Sequence, residues 1–165
     1  MTVKVFVWLP RGGDVGHTSL EIDEDVYISF WPDKSRKTFA ASILLHMDVN
    51  VERKPLYQDY QFDLNKLGFE PTVIELEHLQ ESQIRDYWQK IQESKLSWRL
   101  AEFNCATIIA NALYIGSEIQ PNFRPLADLD LYLGMGLPIG EVEAWEPKTI
   151  LQYAKQIKKM NAQQT

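Results

Sequence analysis

The chain has 165 residues, of which 45% are hydrophobic and 24% charged, and it carries a formal net charge of −6 at pH 7. That length supports one domain, residues 1–165, with a core of its own, and the acidic balance argues against nucleic acid as a partner. A single cysteine, Cys105, excludes an internal disulfide and leaves its thiol free for packing or for chemistry.

Near the N-terminus the only apolar run is Val5 to Leu9, too short for a signal-peptide core or a membrane span. The expectation is a cytoplasmic protein with no integral membrane association, and export by a route without a cleaved signal would leave the same trace. Val3 to Leu9 alternates and is rich in β-branched and aromatic residues, which predicts a strand; Pro10-Arg11-Gly12-Gly13-Asp14 then breaks it as a glycine-rich loop. From Gly16 a second strand begins, and His17 to Ile22, the acidic Asp23-Glu24-Asp25 and Val26 to Trp31 read as a β-hairpin ended by Pro32.

Residues 33–70 show no sustained period and are expected to be irregular, with a short helix near Phe39 to Leu45. Thr72 to Leu76 reads as a strand. Ile84, Tyr87, Trp88 and Ile91 recur at helical spacing and make residues 81–94 an amphipathic helix on the outside of the core. Asn104 then caps a largely apolar helix from Cys105 to Leu113, with Gly116 as its stop. After Trp145-Glu146-Pro147 a last helix ends in Lys158-Lys159, charges that suit its macrodipole. The expected fold is α+β: a small antiparallel sheet packed on the central helix that carries the cysteine at its N-terminus, with two more helices outside.

The chemistry centres on that cysteine. A helix N-terminus offers unpaired N–H groups and a partial positive charge, which lower a thiol pKa and can hold an oxyanion. A lone cysteine at the start of a buried helix is more often a small apolar packing residue. His17 shifts that balance, because a histidine opening a strand after a glycine-rich loop can approach a helix end from the sheet and act as a base. His46 and His78 have no context that ties them to the thiol, and one thiol with no paired histidines makes zinc, or any cofactor, unexpected.

A third group usually orients the base. Glu21 shares a strand face with His17, but four residues at strand rise separate them by roughly 13 Å, and it is expected to be solvated. Pairing of the hairpin about Asp23 sets Ser29 opposite His17, which makes Ser29 the candidate orienter; a slip of one residue would bring Phe30 there instead. Asp14 from the loop, or a bridging water, is the other option.

His17 on a strand, a polar residue 12 positions on, Pro32 just beyond, and Asn104-Cys105 opening a helix together resemble the circularly permuted papain-like superfamily of thiol hydrolases. That group includes permuted NlpC-type peptidases and the lecithin:retinol acyltransferase-like enzymes, in which the histidine strand precedes the cysteine helix. The resemblance covers about residues 1–32 and 98–115. It implies Cys105 as nucleophile, His17 as base and Ser29 in the third polar position, where serine departs from the more usual histidine, asparagine or glutamine. It also implies a thioester intermediate and a peptide, protein or acyl substrate, and it suits a bacterial effector as well as a housekeeping amidase.

The expected activity is hydrolysis of an amide bond, as by a peptidase, amidase or deamidase. The alternatives are acyl transfer or thioester hydrolysis on lipid or thioester substrates, and a non-catalytic binding module of the same fold in which Trp8, Trp31, Trp98 and Trp145 form core or a peptide groove. The segment Leu129 to Leu137, apolar with two glycines, reads as a buried loop or as a lid.

Overall fold

Alternation along the first three strands gives the sheet two faces of different character, and those faces decide what packs on each. The computed structural model describes residues 2–11, 14–33, 54–94, 96–99, 102–128 and 141–163. It is mixed α+β, with a five-stranded antiparallel sheet of order β4-β3-β2-β1-β5. The strands are β1 (Thr2–Trp8), β2 (His17–Ile22), β3 (Val26–Pro32), β4 (Pro55–Tyr57) and β5 (Thr72–Glu77). Among the described residues four helices accompany it: α1 (Tyr60–Leu67), α2 (Glu81–Glu93), α3 (Cys105–Ser117) and α4 (Pro147–Asn161). A separate two-stranded ribbon pairs β6 (Leu126–Asp128) with β7 (Glu141–Glu143).

One sheet face is aliphatic. Val3, Val5 and Val7 of β1, Leu20 and Ile22 of β2, Ile28 and Phe30 of β3 and Leu76 of β5 are buried together with Ile108, Ile109 and Leu113 of α3 and Ile150, Tyr153 and Ile157 of α4. Burial of such side chains, at about 1.5–3 kcal/mol each, is the main force that fixes α3 against the sheet. Helix α2 packs on α3 in turn, burying Ile84, Trp88 and Ile91. Gly116 is not the helix stop expected for it: α3 runs through to Ser117 and ends on Glu118 in the left-handed conformation. A Cβ at Gly116 would lie 2.5 Å from Ile84 Cδ1, so its small size serves the contact between α2 and α3.

The other face carries Phe6 and Trp8 of β1, His17 and Ser19 of β2, and Tyr27, Ser29 and Trp31 of β3, and α1 roofs it. That helix and β4 fall within residues 33–70, expected to be irregular. Asp59 caps the N-terminus of α1 by accepting from Phe62 N at 2.7 Å, and Gly68 closes its end in the left-handed conformation. The helix expected near Phe39 to Leu45 and the loop or lid of Leu129 to Leu137 lie outside the described residues. Among the described residues no helix is long and apolar enough to cross a membrane.

The hairpin register also differs from expectation. Ser19 pairs with Ser29 and Ile22 with Val26, so the hairpin is centred on Glu24, and Ser29 is not opposite His17. The cause is the turn: Asp23 and Glu24 both adopt positive φ, and Asp25 N bonds Ile22 O. A shift of two in the pairing sum keeps Ser29 on the His17 face.

Gly16, immediately before His17, has φ +78°, and a Cβ there would lie 2.3 Å from Trp8 O. Gly68 has φ +76° but open space around the missing Cβ. In urea unfolding, Gly68→Ala is expected to lose about 1 kcal/mol from backbone strain alone, and Gly16→Ala clearly more, about 2–3 kcal/mol, because main chain must also move.

Candidate active site

Four elements, β2, β3, α1 and α3, build the site. The glycine at position 16 turns the chain into β2 so that His17 opens the strand; its side chain is 1% exposed. Opposite it the β2–β3 ladder stops at Ser19–Ser29, while β3 continues to Pro32 paired with β4 instead. β3 therefore leaves β2 where His17 and Thr18 lie. Into this opening comes the start of α3, held there by Phe103 edge-on to Phe30 at 5.8 Å and by Asn104 Nδ2 donating to Trp145 O at 3.0 Å.

Asn104 is the N-cap of α3, as the sequence indicates: its Oδ1 accepts from Thr107 N at 2.8 Å, and its carbonyl takes Ile108 N at 3.2 Å. The first two N–H groups of the helix, those of Cys105 and Ala106, have no intrahelical acceptor and sit at the positive end of the macrodipole. Cys105 is partly exposed, and its sulfur lies against the His17 ring and against Thr18.

His17 is held from behind by a buried carboxylate. Asp63, 0% exposed, accepts from Trp31 Nε1 at 2.6 Å and Ser29 Oγ at 3.0 Å on one oxygen, and from Tyr27 OH at 2.9 Å on the other. That second oxygen is 3.3 Å from His17 Nε2. Ser19 Oγ extends the network to Tyr27 OH at 2.6 Å, and Trp31 stacks on the His17 ring at 4.1 Å and 21°. Asp63 lies in the first turn of α1, where the helix dipole also favours its charge.

The proton positions follow from this network. Ser29 gives its one hydrogen to Asp63, so toward His17 Nε2, 3.0 Å away, its oxygen accepts. Nε2 therefore carries a hydrogen, shared between Ser29 and Asp63, and Nδ1 is the nitrogen left for the thiol. Burial opposes charge on His17, but the Cys105 sulfur and the Asp63 carboxylate prevail, and its pKa is pushed up to about 9. Burial likewise opposes the Cys105 thiolate, yet His17 and Thr18 bring the thiol below its ordinary range. Asp63, despite burial, is held below the usual carboxylate range by His17, Trp31 and Tyr27.

The structure thus brings Cys105, His17 and Ser29 together, and adds Asp63, which sequence reading did not single out. Asp14 is exposed in the loop, where it bridges to Arg11 through main chain. Glu21 pairs with Lys4 at 2.8 Å. His78 is exposed beside Glu77, and His46 lies outside the described residues. Among the described residues no group of three or more His, Cys, Asp or Glu side chains could hold a metal ion. No family model, curated protein or solved structure matches the chain.

Alkylation of Cys105 by iodoacetamide reads this electrostatic arrangement directly. In the wild type the reaction should persist well below the ordinary thiol range near 8.5, whereas His17→Ala should restore an ordinary profile and react about tenfold or more slower at pH 6. Asp63→Asn should fall between the two, since it removes the charge that supports the imidazolium but retains Ser29.

Proposed function

We propose that this protein is a cysteine-dependent acyl-transfer enzyme that hydrolyses an amide bond, with Cys105 as nucleophile and His17 as base and acid. The observation that carries this reading is the arrangement Cys105–His17–Asp63: a partly exposed cysteine at a helix N-terminus, an imidazole against its thiol, and a buried carboxylate behind the imidazole. Ser29 and Asp63 share the orienting role, with Asp63 supplying the charge. The strand bearing the histidine precedes the helix bearing the cysteine, and the sheet packs on that helix. Both features support a permuted papain-like arrangement.

In the proposed reaction the Cys105 thiolate attacks the substrate carbonyl carbon, and the oxyanion meets the main-chain N–H of Cys105 at the head of α3. The tetrahedral intermediate collapses as the His17 imidazolium gives its Nδ1 proton to the departing amine, leaving a thioester. Water then attacks the thioester carbonyl, His17 takes its proton, and the carboxylic acid product leaves as the thiolate–imidazolium pair re-forms. The preference for an amide rests on the acid. A histidine raised to about 9 is protonated at neutral pH, and an amine needs that proton to depart, whereas a thiolate leaving group does not.

Activity on peptide amides should follow a bell-shaped pH profile. It rises on the acid side as Cys105 ionises below the ordinary thiol range, and falls near pH 9 as His17 loses its proton. Incubation with a panel of peptide amides and thioester reporters, followed by mass spectrometry, should find an acyl adduct on Cys105 that Cys105→Ala lacks. Turnover of thioesters alone would favour the acyltransferase reading, and a peptide bound equally well by wild type and Cys105→Ala with no adduct would favour a binding module.

A further inference from the structure

Thr18 is a buried polar residue that the proposed reaction does not use. It follows His17 on β2, and its side chain points to the opposite face, beside Val7 and Leu20, where the core is otherwise aliphatic. It is 0% exposed, and its hydroxyl has no hydrogen-bond partner. A buried hydroxyl left unsatisfied costs about 1–3 kcal/mol, and valine would fill the same volume without that cost. Its position explains it. The β2–β3 ladder ends at Ser19–Ser29, so Thr18 faces the opening that the first turn of α3 enters. There Thr18 adjoins Cys105, and its hydroxyl and its main-chain N–H both act to lower the thiol pKa.

We infer that Thr18 holds the sulfur of Cys105, its hydroxyl and its main-chain N–H forming a second cradle for the thiolate on the side away from His17. This inference rests on the reading of Cys105 as a nucleophile. A neutral thiol is a weak acceptor, so the hydroxyl contact is slack in that state; when the sulfur carries charge the hydroxyl donates to it. Two donors from β2 then fix the direction of the sulfur lone pairs, and His17 supplies the counter-charge from the other side of the strand. When the sulfur bonds to the substrate carbon its charge passes to the oxyanion, and the Thr18 hydroxyl falls slack again, so it stabilises the resting thiolate rather than the acyl-enzyme.

The test is the pH profile of Cys105 alkylation by iodoacetamide, with thermal unfolding, in wild type, Thr18→Val and Thr18→Ser. Thr18→Val should unfold at the wild-type temperature or above it, yet its alkylation midpoint should move up by about one pH unit, which makes it about tenfold slower on the acid limb. Thr18→Ser keeps the hydroxyl and should track the wild type. A Thr18→Val profile superimposed on a wild-type profile that persists to low pH would overturn the role of Thr18 and leave the Cys105–His17 pair standing. Equal shifts in the Val and Ser variants, or unfolding of the Val variant, would overturn it as well, since they would assign Thr18 to packing. An ordinary thiol profile already in the wild type would overturn both the pair and the cradle.

Discussion

One buried carboxylate sets the conditions for everything at the head of α3. Asp63 is fully enclosed and takes hydrogen bonds from Tyr27, Ser29 and Trp31, all on β3, while it faces His17 on β2. A lone carboxylate in such a place would be expelled or protonated. Three donors and an imidazolium make the charge tolerable, and the charge in turn makes the imidazolium tolerable in a position that burial alone would keep neutral. The two are mutually dependent, and α1 over β3 closes them off from water.

The direction of dependence runs outward from that pair. Trp31 both donates to Asp63 and stacks on the His17 ring, so the plane of the imidazole is fixed by packing as well as by its Nε2 contacts. With Nε2 occupied, only Nδ1 is free to meet the thiol. The strand divergence after Ser19–Ser29 provides the opening in which that meeting occurs, and the Asn104 cap directs the first turn of α3 into it. The aliphatic face of the sheet holds α3 in place but contributes no charge. The polar face contributes the charge and meets α3 at this opening.

Local signals make much of this legible in the sequence. The alternation in β1 to β3, the Asn104-Cys105 start of α3 and the amphipathic α2 depend on neighbours within a few residues, and the structure follows them closely. Asp63 and Gly116 depart from expectation for one reason, which is that the deciding contact is distant in sequence. Asp63 resembles any solvated helical acid until its 34-residue separation from Ser29 is closed. Its helix was still signalled by the Asp59 cap and Gly68, eight residues of pattern too short to stand out beside the surrounding aromatics. Gly116 reads as a stop because glycine usually is one; only Ile84 on the neighbouring helix explains it. The hairpin centre moved by one residue because Asp23 and Glu24 both take left-handed backbone, which no Asn-Gly or Asp-Gly pair announces.

The most direct test of the charge arrangement is the nitrogen NMR spectrum of the His17 ring, recorded from pH 6 to pH 10 in the wild-type protein. Two protonated ring nitrogens are expected at pH 7, converting near pH 9 to a neutral ring with its hydrogen on Nε2. A neutral His17 at pH 7, or a neutral ring with its hydrogen on Nδ1, would contradict that arrangement.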